Sequence, residues 1–102
     1  MEKKYISPQV KIAASVYFRG GKADTGEISQ DIDYTHHQIR SIGRHLINRS
    51  ILRKLTRRRK NGTYMFSIWT LRHQKIKKVE QMIRDAWGEE ALKNGEILKD
   101  ER

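Results

Sequence analysis

Four consecutive cations, Arg57 to Lys60, stand directly before the pair Asn61-Gly62. Asn-Gly between extended residues is a strong signal for a tight hairpin, because both residues tolerate the positive φ of a type I′ turn. Cations crowded at a turn repel one another, but beside a phosphate backbone each can displace a condensed counterion. The stretch therefore predicts a β-hairpin whose tip contacts phosphates, or whose arginines enter a narrow minor groove.

Polar side chains recur at helical spacing between residues 35 and 48. The apolar residues of this stretch form one stripe with a period near 3.6, and the opposite face carries no carboxylate. Arginine can bond guanine O6 and N7 through two donors, and serine and asparagine also bond base edges in the major groove. A helix fits that groove, so this face is a candidate base-reading surface. Its residues, at offsets of 0, 3, 4, 7 and 11, are His37, Arg40, Ser41, Arg44 and Asn48.

The positive charge of the chain is concentrated in its middle. Of its 22 lysines and arginines, thirteen lie between Tyr34 and Val79, a span without any acidic residue, and all twelve acids lie outside it. The net charge is +10, yet the flanks alone are net negative. Segregation on this scale indicates a polyanionic partner, with nucleic acid first and an anionic membrane surface second.

The same sequence offers little to an enzyme or a metal site. There is no cysteine, and no carboxylate lies among His36, His37 and His45 to complete a metal site. A nuclease needs clustered carboxylates, but Glu27 and Asp31 are expected on the solvated face of a short helix. We expect no enzymatic activity, no metal and no other cofactor, and no small-molecule ligand is indicated.

Length and hydropathy indicate how many domains the chain forms and where in the cell it acts. The 102 residues suit one domain with a modest core, and no apolar run approaches the roughly 20 residues of a membrane span. The amino terminus, MEKKYISPQV, has basic residues without a hydrophobic segment behind them. Together with the lack of cysteine, this predicts a cytoplasmic, DNA-associated protein.

Helices and a hairpin must position these candidate residues, and the sequence marks where they begin and end. Ser7-Pro8 is a favourable helix start and Gly20-Gly21 a stop. A short link, KADT, leads to Thr25, the expected cap of a second helix. The predicted elements are helices from 8 to about 19, from 26 to 32, from the cap Thr35 to about 48 and from 71 to 93, with strands over 51–57 and 63–69 around a tip at 58–62.

The order helix, helix, helix, strand, basic hairpin, strand is that of a winged helix-turn-helix domain. The stretch TGEISQDIDYTHHQIRSIGRHL resembles a helix-turn-helix, and INRSILRKLTRRRKNGTYMFSIW resembles the strand, wing and strand that complete the winged variant. The resemblance covers about Ser7 to Trp69 and is to the DNA-binding superfamily, of the small prokaryotic or viral regulator type. Two departures are Asp33, where the turn usually has glycine, and Asn48 with Ser50 at a helix-to-strand corner that often has one.

This resemblance implies an α+β, mainly α fold. A winged helix-turn-helix of three helices and a β-hairpin wing would occupy 1–70, an additional C-terminal helix of the same domain 71–95, and a frayed tail 96–102. The implied function is double-stranded DNA binding by a transcriptional regulator, with the third helix in the major groove. The residues expected at the bases are Thr35, His36, His37, Gln38, Arg40, Ser41 and Arg44. Those expected at the backbone or minor groove are Arg49, Arg53, Lys54, Arg57, Arg58, Arg59, Lys60 and Asn61.

Other functions remain open on these grounds. The same basic surface suits a sequence-independent architectural or replication protein, or a winged helix that binds RNA or an acidic protein. The last helix either packs on the first helix or forms a homodimer through a stripe near heptad spacing. That possible dimer face consists of Ile76, Val79, Met82, Ile83, Ala86 and Trp87.

Overall fold

The computed structural model of the chain describes residues 5–58 and 65–93. This part is a small, mostly helical α+β domain with four α-helices and a three-stranded antiparallel sheet. In chain order the elements are α1 (Pro8–Phe18), β1 (Lys22–Asp24), α2 (Thr25–Asp31), α3 (His36–Asn48), β2 (Leu52–Arg58), β3 (Met65–Leu71) and α4 (Ile76–Trp87), with 3₁₀ turns at His73–Lys75 and Glu89–Leu92.

The first and third helices begin where the sequence predicted. Ser7 Oγ accepts a hydrogen bond from the Gln9 backbone N–H over 3.2 Å, and Pro8 is the first helical residue. Thr35 Oγ1 accepts from the Gln38 N–H over 3.1 Å, while Gln38 Oε1 accepts from the Thr35 N–H over 2.9 Å. Both caps satisfy N–H groups that a helix start leaves without a backbone partner.

The expected link at residues 22–25 is instead a strand followed directly by a helix. Asp24, not Thr25, caps α2: its Oδ1 accepts from the Glu27 N–H over 2.8 Å. Thr25 is buried, and its Oγ1 accepts from Trp69 Nε1 over 3.0 Å. A strand of three residues is too short to show a period, and its partners on β3 are more than 40 residues away in the chain, so local patterns could not predict it.

The sheet has the strand order β1-β3-β2. The predicted hairpin is confirmed for β2 and β3, whose register runs from Leu52 opposite Leu71 to Arg58 opposite Met65. The return strand ends two residues later than predicted, at Leu71 instead of Trp69. Arg58, predicted in the tip, is instead the last residue of β2. The rest of the predicted tip and the predicted start of the return strand lie within residues 59–64, outside the described part of the chain.

Side chains of successive strand residues alternate between two faces of this sheet. The inner face contacts α1, α2 and α3 and buries Ala23, Leu52, Trp69 and Leu71. None of the eight side chains of the outer face is fully buried. By register, the outer face consists of Lys22, Asp24, Arg53, Leu55, Arg57, Phe66, Ile68 and Thr70.

The last predicted helix is shorter than expected and packs on α1. Gly88, with φ of 98°, ends α4 six residues before the predicted end near Asn94, and the first predicted residue, Leu71, belongs to β3. Val79 and Ile83 are fully buried within the chain. These two residues therefore belong to the core of the single chain and are not available to a dimer face.

Candidate nucleic-acid interface

Helix α3 presents the face that the sequence predicted. Ile39, Gly43 and Leu46 are buried, with Gly43 against the ring of Trp69 on the inner face of the sheet. Ile42 and Ile47 are half-buried, and the other side chains of α3 are exposed to solvent and include no carboxylate. The exposed residues predicted to read bases are His36, His37, Gln38, Arg40, Ser41 and Arg44.

Two of the predicted base-reading residues also have a structural role. The side chains of Thr35 and Gln38 bond each other's backbone N–H at the start of α3. A residue that caps a helix end has fewer polar atoms left for a ligand. The predicted readers with no such bond within the described chain are His36, His37, Arg40, Ser41 and Arg44.

The register of β2 separates cations that the sequence grouped together. Lys54 lies on the inner face, where its Nζ is 5.6 Å from the centroid of the Trp69 ring, within range of a cation–π contact. Because Gly43 packs against the same ring, Lys54 and α3 meet at Trp69. Arg53 and Arg57 are exposed on the outer face, on either side of Leu55. Lys54 is thus beside α3, and the two arginines point away from it.

The remaining residues predicted to contact the DNA backbone fall into two groups. Arg49 follows α3 directly, and its Nη1 donates to Gln9 Oε1 on α1 over 2.8 Å. It is exposed, so the guanidinium joins two helices at the protein surface. The side chain of Arg58, at the end of β2, lies outside the described part of the chain, as do the predicted contacts Arg59, Lys60 and Asn61.

The carboxylates of α2 are expected on a solvated face, but they are only partly exposed and form a compact ion-pair network with Arg19. Arg19 Nε and Nη2 donate to the two oxygens of Asp31 over 2.8 and 2.9 Å, and Arg19 Nη1 donates to Glu27 over 3.1 Å. The Asp31 hydrogen bonds raise the pKa of Arg19 further above its usual range. Ser15, which is fully buried, also donates to Asp31, over 2.7 Å. These acids therefore hold α1 to α2.

The predicted dimer face is divided by the fold. Besides the buried Val79 and Ile83, its other members are half-buried: Ile76, Met82, Ala86 and Trp87. Homodimerisation stays a prediction, with a smaller available surface than the sequence indicated. On the opposite side of α4, Lys77 and Lys78 are exposed and add to the positive surface.

Lys22 is an exposed cation that was not among the residues predicted from the sequence. It lies on β1 and faces outward beside Thr70 of β3. No signal in the sequence identified it, because the strand that orients it is too short to predict.

Within residues 5–58 and 65–93, no three His, Asp or Glu side chains lie close enough together to hold a metal ion. No helix in these ranges is both long and apolar enough to cross a lipid bilayer. No protein-family model, curated protein sequence or solved structure matches this chain. Conclusions about function therefore depend on its own geometry and charge.

Proposed function

We propose that this protein is a winged-helix regulator of transcription that binds duplex DNA, with α3 in the major groove. The observation that carries the proposal is the exposed face of α3, where Arg40, Ser41 and Arg44 are free of any acidic neighbour on the helix. The helix pair α2–α3 followed by the β2–β3 hairpin supports the winged arrangement.

The dimensions of α3 suit this role. Its 13 residues correspond to roughly 20 Å at 1.5 Å per residue, long enough to follow a major groove about 12 Å wide. Ser41 and Arg44 are exposed and lie on the side of the helix away from the buried stripe to which Gly43 belongs. A groove that receives this side would meet side chains able to donate to guanine or to phosphate.

Charge around α3 favours a polyanion. Lys54 on β2 contacts the Trp69 ring, on which α3 also packs. Arg49 directly follows the last residue of α3. The acid nearest to α3 along the chain is the exposed Asp33, which precedes the helix, while Glu27 and Asp31 of α2 are paired with Arg19. Pairing neutralises much of the field of these acids, so they oppose an approaching phosphate only weakly.

Different residues have different roles in the proposed complex with DNA. Arg40, Ser41 and Arg44, with His37, contact base edges and give sequence preference. Lys54 and the hairpin tip contact the phosphate backbone and give affinity without preference. Such a division is what a regulator needs in order to search nonspecific DNA and then stop at a particular site.

A salt titration tests the proposal. Affinity for a duplex from the gene's own upstream region is compared with a random duplex and a matched RNA duplex, at several salt concentrations. Counterion release predicts a linear fall of log K with log salt, with a slope of about −0.9 for each phosphate contacted. We expect a steep slope and tighter binding to the upstream DNA.

A charge-matched pair of variants sharpens this experiment. Arg44→Ala removes one cation from α3, and Lys22→Ala removes one from the outer face of the sheet. We expect Arg44→Ala to weaken binding about tenfold or more, and Lys22→Ala to change it little, because charges beyond the screening length of about 8 Å contribute weakly. Equal effects would contradict the role of α3, and tighter binding to RNA or no binding at moderate salt would contradict DNA as the ligand.

A further inference from the structure

The outer face of the sheet combines apolar and cationic side chains at the protein surface. Leu55 of β2 is 48% exposed, the largest exposed fraction of any apolar strand residue in the described chain. Its partner across the strands is Ile68, and Phe66 lies two pairs further along, on the same face. Leu55 is exposed, and Ile68 and Phe66 are half-buried, so the three side chains form an apolar strip at the surface of the sheet.

A cleft of about 310 Å³ continues this strip at the β1 edge. Phe66, Ile68 and Ala23 form its apolar part, and Lys22 and Asp24 also line it. Arg19 and Glu27 also line the cleft, but they are paired with each other. The cleft thus offers apolar contact to a ligand, with one exposed ammonium group beside it.

The charge of the outer face identifies the kind of partner. Arg53 and Arg57 lie two residues to either side of Leu55 on the same face, and both are exposed. Asp24 is the one carboxylate on the face as the described residues define it, and its Oδ1 already accepts from the Glu27 N–H. Cations on both sides of an apolar strip complement a ligand that carries carboxylates and apolar groups together.

The cations also argue against a second copy of this chain in the same position. Two outer faces placed together would bring Arg53 and Arg57 of each copy close to those of the other. Like charges brought together in an interface repel each other and disfavour association. An edge strand with this many cations is also a poor template for pairing with itself.

The position of this surface separates it from the proposed DNA contact. Gly43 of α3 packs on the inner face through Trp69, so the exposed side of α3 is directed away from the sheet. The outer face lies on the other side of the same sheet. A duplex along α3 would leave it accessible.

We infer that the outer face of the sheet is a second docking surface, which binds an acidic, apolar segment of a partner protein. The carboxylates of that segment pair with Arg53, Arg57 and Lys22. Its apolar side chains cover Leu55, Phe66 and Ile68. The protein can then hold DNA and a protein partner at the same time.

A model peptide tests the inference without DNA, so that its outcome is independent of the proposed function. The probe is a fluorescein-labelled peptide of about 12 alternating Glu and Leu residues, long enough to cross the sheet when extended. Two further peptides replace every Leu by Ser or every Glu by Lys. We expect the Glu-Leu peptide to bind in anisotropy measurements and both replacements to lose about tenfold or more. Equal binding of the Glu-Leu and Glu-Ser peptides would overturn the inference.

Variants then locate the bound peptide. Leu55→Ser should weaken it about fivefold or more, since the apolar contact at the centre is lost, whereas Thr56→Ala, the next residue on the opposite face, should not. Arg44→Ala on α3 should leave peptide binding unchanged. An unaltered circular dichroism spectrum and urea midpoint of Leu55→Ser confirm that this variant is folded.

Amide shifts of the full chain in NMR spectra provide an independent location. Addition of the peptide should shift Leu55, Phe66 and Ile68 and leave Ser41 and Arg44 in place. Shifts confined to α3, or displacement of the peptide by duplex DNA, would assign the peptide to the basic surface and overturn the inference.

Discussion

A Cβ atom on Gly43 would lie 2.7 Å from Cη2 and Cζ3 of the Trp69 ring, so α3 rests on the indole with no space between them. Trp69 is fully buried, and its Nε1 donates to Thr25, so the ring cannot easily move aside. This contact sets the distance between α3 and the sheet, and with it the placement of the exposed face of α3 relative to Lys54.

Gly43→Ala should therefore destabilise the protein, although alanine favours a helix. Overpacking a core costs about 1–3 kcal/mol, against a gain of about 1 kcal/mol in helix propensity. We expect a net loss of about 1 kcal/mol in the free energy of unfolding, measured by urea denaturation. Ser41→Ala, on the exposed side of the same helix, is the control and should lose nothing. If Gly43→Ala is more stable than the parent, the Trp69 ring must have moved to make room for the added methyl group.

Arg40→Ala should change which DNA sequences are bound, as well as how tightly. Loss of a bidentate contact to guanine costs about 1–3 kcal/mol and relaxes preference at one base pair. Binding measured against a panel of single-base operator variants gives both quantities. Lys54→Ala is the comparison, because a backbone contact should weaken all sequences about equally and reduce the salt slope. The same profile for both variants would refute the division into base and backbone contacts.

Asp31→Ala should loosen the junction between α1 and α2. It removes the two hydrogen bonds to Arg19 and leaves the buried Ser15 hydroxyl without its acceptor. An unpaired buried polar group costs about 1–3 kcal/mol, so we expect a loss of about 2 kcal/mol in urea denaturation. Asp33→Ala removes an exposed carboxylate just beyond α2 and should be neutral. If both variants lose the same stability, net charge and not the network is responsible.

Tyr17 and Glu80 join α1 to α4 in a way that depends on pH. Tyr17 Oη donates to Glu80 Oε2 over 2.7 Å, and this hydrogen bond, with burial and the charge of Glu80, raises the pKa of Tyr17 above its usual value of about 10. The folded state thus holds the phenolic proton more tightly than the unfolded state. The contribution is complete below pH of about 10 and is lost as the pH rises through the raised pKa.

Tyr17→Phe should accordingly cost about 1 kcal/mol at neutral pH, and its disadvantage should shrink above pH of about 10. The free energies of unfolding of the two proteins, measured from neutral to alkaline pH, show this difference directly. Tyr5→Phe, at an 82% exposed residue, is the control for loss of a hydroxyl at neutral pH and should match the parent there. A constant difference between Tyr17→Phe and the parent would mean that the hydroxyl is not held by Glu80.

Several parts of the fold were predictable because their causes are local. Ser7 with Pro8 and Thr35 with Gln38 carry the capping groups within three residues of the helix starts that they define. The stripe of Ile39, Gly43 and Leu46 follows from the helical period alone. For the same reason the spacing of residues along the chain was sufficient to identify the exposed, acid-free side of α3.

Other parts depended on contacts between distant residues. Strand β1 exists because Ala23 pairs with Trp69, and no pattern in three residues could indicate that. Helix α4 ends earlier than predicted because Gly88 takes a positive φ. The periodicity of the apolar residues does not reveal such a backbone angle. The alternatives for α4, packing on α1 or exposing a dimer face, differ only in whether Val79 and Ile83 are covered by other parts of the chain.

The sequence by itself determined the helices, the hairpin and the concentration of positive charge between Tyr34 and Val79, since capping, periodicity and composition are properties of neighbouring residues. Only the tertiary structure decided which way each cation of β2 points. Its register with β3 places Lys54 beside Trp69 and α3, and Arg53 and Arg57 on the outer face with Leu55. A shift of one residue would exchange these faces, and register is set by the burial of Leu52, Trp69 and Leu71 against the helices.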